Sequence, residues 1–186
     1  ITCRDWSSDV CSSDLVVVKP PRDGSSVGIS KVTEDGQWAA ALKAAREIDP
    51  QGEVLVEAYI PGREWTVGVV GEEALPVVEI LAPNGWYGFE EKYTKGLTRY
   101  AFPESEADAP LVAACQVLAL LAFKAAGCRG VSRVDFRVTP EGQPYVLEIN
   151  TIPGFTATSL LPKAAAKKGI AFGALCALLL EHAACG

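Results

Sequence analysis

The chain has 186 residues, 49% of them hydrophobic, and a formal net charge of −6 from 17 basic and 23 acidic side chains. Its length suits one ordinary domain or two small lobes with a real core. The acidic balance argues against a surface for nucleic acid or an anionic membrane, but it is compatible with a local basic pocket for a phosphorylated ligand. No apolar run reaches the roughly 18 residues of a membrane span.

Cysteine and histidine point to no particular chemistry. The six cysteines lack metal-like spacing, which favours buried free thiols in a reducing cytosol. The single histidine, His182, argues against imidazole-based triads and histidine-rich metal sites.

Residues 1–15 differ from the rest of the chain. They contain a near-repeat, Ser-Ser-Asp-Val-Cys-Ser-Ser-Asp-Leu, and lack the charged and apolar regions of a secretory signal. The segment resembles translated sequencing-adapter text fused to a truncated reading frame. We therefore expect it to be non-native, and we expect the natural N-terminal part of the protein to be missing.

The remaining sequence alternates predicted strands and helices. Strands are predicted at 16–18, 29–32, 53–60, 64–70, 74–81, 131–138 and 144–150. Helices are predicted at 34–48, with Thr33 as the N-cap, and at 106–126, 159–168 and 172–184. This order indicates an α+β architecture with mixed or antiparallel sheets and packed helices, and not a parallel doubly wound sheet. The aromatic and charged stretch 84–98 is typical of a lid or binding loop, with aromatic packing beneath a mobile loop as the alternative.

The hairpin predicted over 131–150 carries the most informative pattern, because both of its strands alternate apolar and polar residues. That alternation selects one register, in which the apolar residues form a single layer: Val134, Phe136 and Val138 facing Ile149, Leu147 and Tyr145. The opposite face collects Arg133, Asp135, Glu148 and Asn150. Paired carboxylates with a carboxamide suit Mg²⁺, usually completed by substrate phosphates. A solvated face with an arginine–carboxylate salt bridge is the equal alternative.

Two further segments have features of nucleotide-binding loops. The Gly/Ser-rich loop 22–28 follows Lys19 at a strand end, where backbone N–H groups and a lysine charge could meet phosphates. A simple hairpin turn is the alternative there. The Pro61-Gly62 break exposes backbone groups that can pair with an adenine edge, while Glu64 can hold ribose hydroxyls. An ordinary turn between lobes is the alternative for this segment.

A third loop, 150–156, places a glycine-containing turn directly after the acidic strand. It leads to Thr158 and Ser159 at the start of a predicted helix. Helix N-termini favour anions, including carboxylates, although a plain N-cap by either residue is the alternative.

In order along the chain, these motifs resemble those of the ATP-grasp carboxylate–amine ligases and, more narrowly, the D-alanine–D-alanine ligases. The resemblance rests on Val-Lys-Pro-Pro-Arg-Asp-Gly-Ser-Ser-Val-Gly, Glu-Lys-Tyr, Ser-Arg-Val-Asp-Phe and Leu-Glu-Ile-Asn-Thr-Ile-Pro-Gly-Phe-Thr. It covers residues 16–186. It implies an ATP-grasp fold with its N-terminal lobe missing, in which 16–60 is part of the central lobe and 61–186 is the C-terminal lobe.

The resemblance implies that the parent protein joins two D-alanines through an acyl phosphate, using ATP, to make a peptidoglycan precursor. It further implies a cytoplasmic homodimer with no nucleic-acid or membrane partner. Activity is expected of the parent protein and not of this chain alone. Two other functions stay open: another ATP-grasp ligase, for a different amino acid or D-lactate, and a non-catalytic nucleotide-binding module.

Residue roles follow from the resemblance by motif. The residues implied for ATP are Lys19, Glu57, Ala58, Ile60, Glu64 and Lys92. The residues implied for two Mg²⁺ ions, which Mn²⁺ could replace, are Asp135, Glu148 and Asn150. The catalytic residues are Arg133, Ser25, Tyr93 and Gly154, and those for the second D-alanine are Ser159 and Leu160. In the family, a tyrosine at the Tyr93 position accompanies the choice of D-alanine over D-lactate.

Overall fold

A computed structural model gives the architecture of the chain. The described residues are 15–22, 24, 26–89, 92, 94 and 96–183. Apart from Leu15, the predicted non-native segment lies outside them, and its origin stays a prediction. The chain divides into two compact units. The first comprises the described residues of Ile1–Tyr59 and Gly88–Tyr93, and the second those of Ile60–Tyr87 and Thr94–Gly186. The assignment of lobes stays a prediction.

The first unit contains one small sheet and one helix. Its elements are β1 (Val16–Lys19), β2 (Ser30–Val32), β3 (Leu55–Ala58) and α1 (Trp38–Ile48). The strands are antiparallel in the order β2-β1-β3. Alternate strand residues, among them Val18 and Val32, form a core with Ala41 and Ala45 of the helix.

The predicted N-cap of the first helix is wrong. A 3-10 turn, Asp35–Gln37, precedes α1, and Gln37 occupies the N-cap position. The Gln37 side chain instead reaches back to Thr33, whose N–H and hydroxyl donate to Oε1 at 2.7 and 3.2 Å. Thr33 therefore closes the turn before the helix and does not cap the helix itself.

The second unit contains the larger sheet. Its strands are β4 (Arg63–Val70), β5 (Glu73–Ala74), β6 (Val78–Leu81), β7 (Arg99–Ala101), β8 (Val131–Val138) and β9 (Pro144–Asn150). The order is β7-β6-β4-β8-β9, with β5 paired to β4, and every pair is antiparallel. The predicted α+β class is confirmed, whereas β7 was not predicted.

Helices cover both faces of this sheet. They are α2 (Ala109–Ala125), α3 (Leu160–Lys167) and α4 (Phe172–His182). On one face Trp65 and Phe136 pack with Cys115 and Phe123 of α2, and on the other face Leu161 of α3 lies in a separate cluster. No helix of the described part of the chain is long and apolar enough to cross a membrane.

Strands β4 and β8 lie inside the sheet and are largely buried on both faces. Asp135 and Arg137, on the polar face of β8, are only 8% and 6% exposed. The alternative of a solvated outer face is therefore wrong for β8, although the predicted arginine–carboxylate salt bridge does form there.

The predicted hairpin register holds for the polar end only. Val134 pairs with Ile149 as predicted, but the register shifts between Asp135 and Phe136. Phe136 then pairs with Val146, so Leu147 is the extra residue of a β-bulge. The predicted pairing of Phe136 with Leu147 is wrong, and so is that of Val138 with Tyr145.

Candidate active site

The polar residues of β8 and β9 form one cluster, which we call the β8–β9 polar cluster: Arg133, Asp135, Glu148 and Asn150. Arg133 lies opposite Asn150, and Asp135 lies opposite Glu148, as predicted. Because the bulge begins only after Asp135, it leaves this end of the hairpin in the register that brings the four side chains onto one face.

Asp135 is the centre of this cluster. Its Oδ1 accepts from the Thr66 hydroxyl at 2.5 Å and from Arg133 Nε at 2.9 Å. Its Oδ2 accepts from Arg133 Nη2 at 2.8 Å and from Asn150 Nδ2 at 3.2 Å. These four hydrogen bonds match the lone-pair sites of a carboxylate, which compensates for its burial. The Asp135 side chain is therefore held in one fixed orientation by its four hydrogen bonds.

The Arg133 guanidinium is held in the same way. Its side chain is only 15% exposed, and both of its bonds to Asp135 are short and parallel. Burial alone would lower the pKa of Arg133, but the hydrogen bonds and charge of Asp135, with the charge of Glu148, raise it above its ordinary value. The cluster thus presents a permanent positive charge beside two carboxylates.

Asn150 links the two carboxylates. Its Nδ2 donates to Asp135 Oδ2 and, at 3.1 Å, to Glu148 Oε1, which offsets their mutual repulsion. Glu148 is exposed. Among the described residues, no group of three or more His, Cys, Asp or Glu side chains could hold a metal ion. A metal here would therefore take two carboxylates and a carboxamide, with further oxygens from a ligand or water.

Sequence reasoning missed Thr66 and Arg137, two residues that organise this unit. Thr66 lies directly opposite Asp135 in the β4–β8 register, and Glu64 lies opposite Arg137. Arg137 donates to Glu64 Oε2 at 3.1 Å, to the Ile60 carbonyl at 3.0 Å and to the Gly85 carbonyl at 3.2 Å. The available signal was the polar residues at alternate positions, Glu64 and Thr66 on β4 and Arg133, Asp135 and Arg137 on β8. Arg137 thereby fixes the two residues of this unit that were predicted to bind ATP.

In the first unit, Lys19 and Glu57 are brought together. Lys19 ends β1, and Glu57 lies opposite Val17 on β3, so both side chains leave the sheet on the face away from α1. Lys19 Nζ lies 2.6 Å from Glu57 Oε2, with the side chains 19% and 41% exposed. Ala58 follows Glu57 at the end of β3.

The Gly/Ser-rich loop and the predicted lid loop also meet within the first unit. Lys92 Nζ donates to the Ser26 hydroxyl at 2.6 Å. Ser26 adopts a left-handed backbone conformation (φ 60°), which costs free energy for a residue with a Cβ atom. Ser25 and Tyr93, both predicted to be catalytic, lie outside the described residues.

The turn before α3 gathers the predicted substrate residues. Ser159 Oγ accepts from the Thr156 N–H at 3.0 Å, and a Cβ atom built on Gly154 would lie 3.3 Å from the same oxygen. Ser159 occupies the N-cap position, but its side chain makes no capping bond to the helix. The Leu160 side chain is buried in the core, so its backbone is the part that could reach a ligand.

Comparison with known proteins now identifies the family. A family model described as the D-ala D-ala ligase C-terminus matches residues 11–181. The chain belongs to this family. The resemblance predicted from the motifs is confirmed, and the ATP-grasp fold with it, since the solved structural neighbours are ligases of that fold.

Individual relatives support the same assignment. A D-alanine–D-alanine ligase from Anaeromyxobacter sp. (strain Fw109-5) is 45% identical over 90% of this chain and 54% of the relative. A Bacillus anthracis D-alanine–D-alanine ligase, solved in complex with ATP, has a TM-score of 0.71 and 30% identity, over 90% of this chain and 50% of that one.

A third relative carries a different name. The VanG D-Ala:D-Ser ligase from Enterococcus faecalis has a TM-score of 0.76 and 37% identity, over 90% of this chain and 49% of that one. The chain thus spans about half the length of the relatives it matches.

Proposed function

We propose that this chain is the ATP- and metal-binding part of a D-alanine–D-alanine ligase. The observation that carries the proposal is the β8–β9 polar cluster, in which an arginine, two carboxylates and a carboxamide share one face and are joined by hydrogen bonds. A non-catalytic nucleotide-binding module would not need an arginine and two carboxylates fixed on one face, since bringing such charges together out of water is costly even when they are paired. The homodimer and cytoplasmic location implied by the resemblance belong to the same proposal.

The proposed reaction has two steps. A carboxylate oxygen of the first D-alanine attacks the γ-phosphorus of ATP, ADP leaves, and an acyl phosphate forms. The amine of the second D-alanine then attacks the acyl carbon, and phosphate leaves with that carboxylate oxygen. Both steps place negative charge on oxygens that need fixed positive groups.

Arg133 supplies such a group. Its two bonds to Asp135 leave it in one orientation, so no reorganisation is needed when charge develops on the phosphoryl group. Gly154 is proposed to donate its backbone N–H to the oxyanion. Ser159 and the backbone of Leu160 are proposed to hold the carboxylate of the second D-alanine, at the start of α3 where the dipole favours an anion.

The β8–β9 polar cluster fits Mg²⁺ by its donor set. Asp135, Glu148 and Asn150 offer only oxygen ligands, and we propose that they hold two ions. Bound Mg²⁺ would neutralise phosphate charge. Asn150 directs its Nδ2 at both carboxylates, so its carboxamide would turn to present Oδ1 instead. Thr66 and Arg133 would continue to hold Asp135 through Oδ1.

The ATP contacts proposed for the two units are distinct. In the first unit, Lys19 and Lys92 would meet phosphates together with the Ser25 loop, and Glu57 and the Ala58 backbone would meet adenine. In the second unit the Ile60 backbone would meet adenine, and Glu64, fixed by Arg137, would meet ribose hydroxyls. Tyr93 is proposed to favour an amine as the second nucleophile.

D-serine is a second candidate for the acceptor. The D-Ala:D-Ser ligase from Enterococcus faecalis is 37% identical to this chain, compared with 30% for the Bacillus anthracis D-alanine–D-alanine ligase. Sequence identity to these two solved relatives therefore does not separate the two acceptors, whereas the 45% identical relative from Anaeromyxobacter is named for D-alanine.

The test uses a completed chain, which we define as residues 16–186 preceded by the N-terminal half of the Anaeromyxobacter relative. Phosphate release from ATP is measured with D-alanine alone and then with D-serine, D-lactate or L-alanine added. Release that requires D-alanine and Mg²⁺, with D-alanyl-D-alanine as product, supports the proposal. In a folded completed chain, ATP binding without amino-acid-dependent release would contradict it. The Glu148→Gln variant, which keeps the shape of the side chain, should abolish turnover.

A further inference from the structure

Arg22, at the N-terminal end of the Gly/Ser-rich loop, is hydrogen-bonded to the end of α1. Arg22 Nη1 donates to both oxygens of Asp49, at 3.1 and 3.3 Å, and Nη2 donates to Glu53. Arg22 lies between β1 and the loop apex, whereas Asp49 is the C-cap of α1. The bond therefore connects two segments that are 27 residues apart in sequence.

Asp49 differs from an ordinary surface partner. Its side chain is completely buried, while those of Arg22 and Glu53 are 46% and 57% exposed. Asp49 Oδ2 also accepts from the backbone N–H groups of Gln51 and Glu53 at 3.0 and 2.9 Å, which fixes the turn from α1 to β3. Burial alone would raise the pKa of Asp49, but the Glu53 N–H and then Arg22 hold it below its ordinary value. An ion pair between two exposed side chains contributes little to stability. Because the Asp49 carboxylate is buried and fixed, its pairing with Arg22 restricts where the guanidinium can lie.

The C-terminal end of the Gly/Ser-rich loop packs against the same helix. Gly28 has φ +69°, and a Cβ atom there would lie 2.9 Å from Ile48 Cγ1 and 3.1 Å from the Ala44 carbonyl oxygen. Only glycine allows both this conformation and this approach. Between these two ends of the loop, the Val27 N–H donates to the Gly24 carbonyl at 3.3 Å. The last turn of α1 thus holds both ends of the loop.

We propose that Arg22 and Asp49 are positioning residues, which fix the N-terminal end of the Gly/Ser-rich loop against the end of α1 so that the loop is preorganised for the phosphates of ATP. This inference rests on the proposed function for the ligand, but the anchoring itself does not. Neither residue touches the reacting atoms. Their effect is to remove conformational freedom that ATP binding would otherwise have to remove.

The first test measures the loop without any ligand. Hydrogen exchange of the segment 20–29 is compared in the 186-residue chain, in Arg22→Ala and in Lys43→Ala. Lys43 is the matched control, because it lies on α1 and pairs at 3.7 Å with Glu47 while remaining 75% exposed. We expect exchange in the loop to accelerate in Arg22→Ala and to be unchanged in Lys43→Ala. Equal exchange in all three chains would overturn the anchoring.

The second test measures the consequence for ATP in the completed chain. We expect Arg22→Ala to raise the KM for ATP by about tenfold, with the KM for D-alanine changed less than about twofold. Arg22→Lys should recover part of the loss, since an ammonium can meet Asp49 but lacks the fork that reaches both carboxylates. Lys43→Ala should match the wild type.

The outcomes separate the inference from the proposed function. An active completed chain in which Arg22→Ala leaves the KM for ATP unchanged overturns the positioning role. So does an equal rise in both KM values with a lower melting temperature, because that indicates a general structural defect. A completed chain without turnover contradicts the proposed function, and hydrogen exchange in the chain alone then still decides whether Arg22 anchors the loop.

Discussion

Replacing Thr66 by valine tests how Asp135 of the β8–β9 polar cluster is held. The Thr66 hydroxyl is almost fully buried and donates to Asp135 Oδ1 at 2.5 Å, with the Val134 carbonyl a further 3.3 Å acceptor. Valine keeps the size and β-branching of threonine but removes the donor. Asp135 would then lose one of its four hydrogen bonds inside the protein, where water cannot easily replace it.

The expected magnitude follows from the type of bond. A hydrogen bond to a charged group contributes about 1.5–3 kcal/mol, so Thr66→Val should lower the free energy of unfolding by that amount. For a chain of this size each kcal/mol corresponds to about 2–4 °C, which gives a fall in Tm of about 3–12 °C. The matched variant Thr66→Ser keeps the hydroxyl and loses one methyl group, at a cost of about 1 kcal/mol.

The assay is urea unfolding followed by far-UV circular dichroism, with Thr33→Val as a surface control. The Thr33 hydroxyl is exposed and bonded to Gln37, so its loss should change stability by less than about 0.5 kcal/mol. We expect the order wild type, Thr66→Ser, Thr66→Val in falling stability. If Thr66→Val is as stable as the wild type, or if serine is the more damaging substitution, packing and not the hydrogen bond decides this position.

Three further predictions concern single sites. Gly62→Ala should destabilise the chain by about 3 kcal/mol or more in urea unfolding, because Gly62 has φ +126° and a Cβ atom there would lie 2.0 Å from the Val138 carbonyl oxygen; unchanged stability would contradict this. Burial raises the pKa of the Cys115 thiol to about 11, so at about pH 8 a thiol reagent should modify Cys115 only after unfolding. Prompt labelling of Cys115 in the folded chain would refute this prediction. Hydrogen bonds from Arg63 and then Ser105 hold the pKa of Asp108 below its ordinary value of 3.8, so these bonds stabilise the fold above that pH and lose their effect as the pH falls through the lowered pKa. Asp108→Asn should therefore make the urea midpoint depend less on pH in the acid range. An unaltered pH dependence of the midpoint would count against this prediction.

The polar cluster was predictable because its signal is local. Arg133 and Asp135 alternate with apolar residues in the sequence, as do Glu148 and Asn150, and a period of two fixes which residues share a face. The bulge was not predictable from that pattern. Tyr145, Val146 and Leu147 form a continuous apolar run, and such a run is compatible with more than one phase of pairing.

The organising contacts were beyond sequence reasoning for a different reason. Arg137 and Glu64 are 73 residues apart, and Thr66 and Asp135 are 69 apart, so their pairing depends on which strands become neighbours. Likewise, β7 is only three residues long and lies in an aromatic, charged stretch that gives no alternation. Strand order is set by packing of the whole sheet and not by local pattern, which is why these partners became visible only in the fold.

The most direct measurement of the central claim follows an oxygen atom. The completed chain is given ATP and D-alanine whose carboxylate is labelled with ¹⁸O, and the inorganic phosphate is analysed by mass spectrometry. An acyl phosphate intermediate transfers one carboxylate oxygen to phosphate, so the account predicts labelled phosphate in proportion to D-alanyl-D-alanine formed. Dipeptide accompanied by unlabelled phosphate would contradict the account, because ATP hydrolysis would then proceed without activating the D-alanine carboxylate.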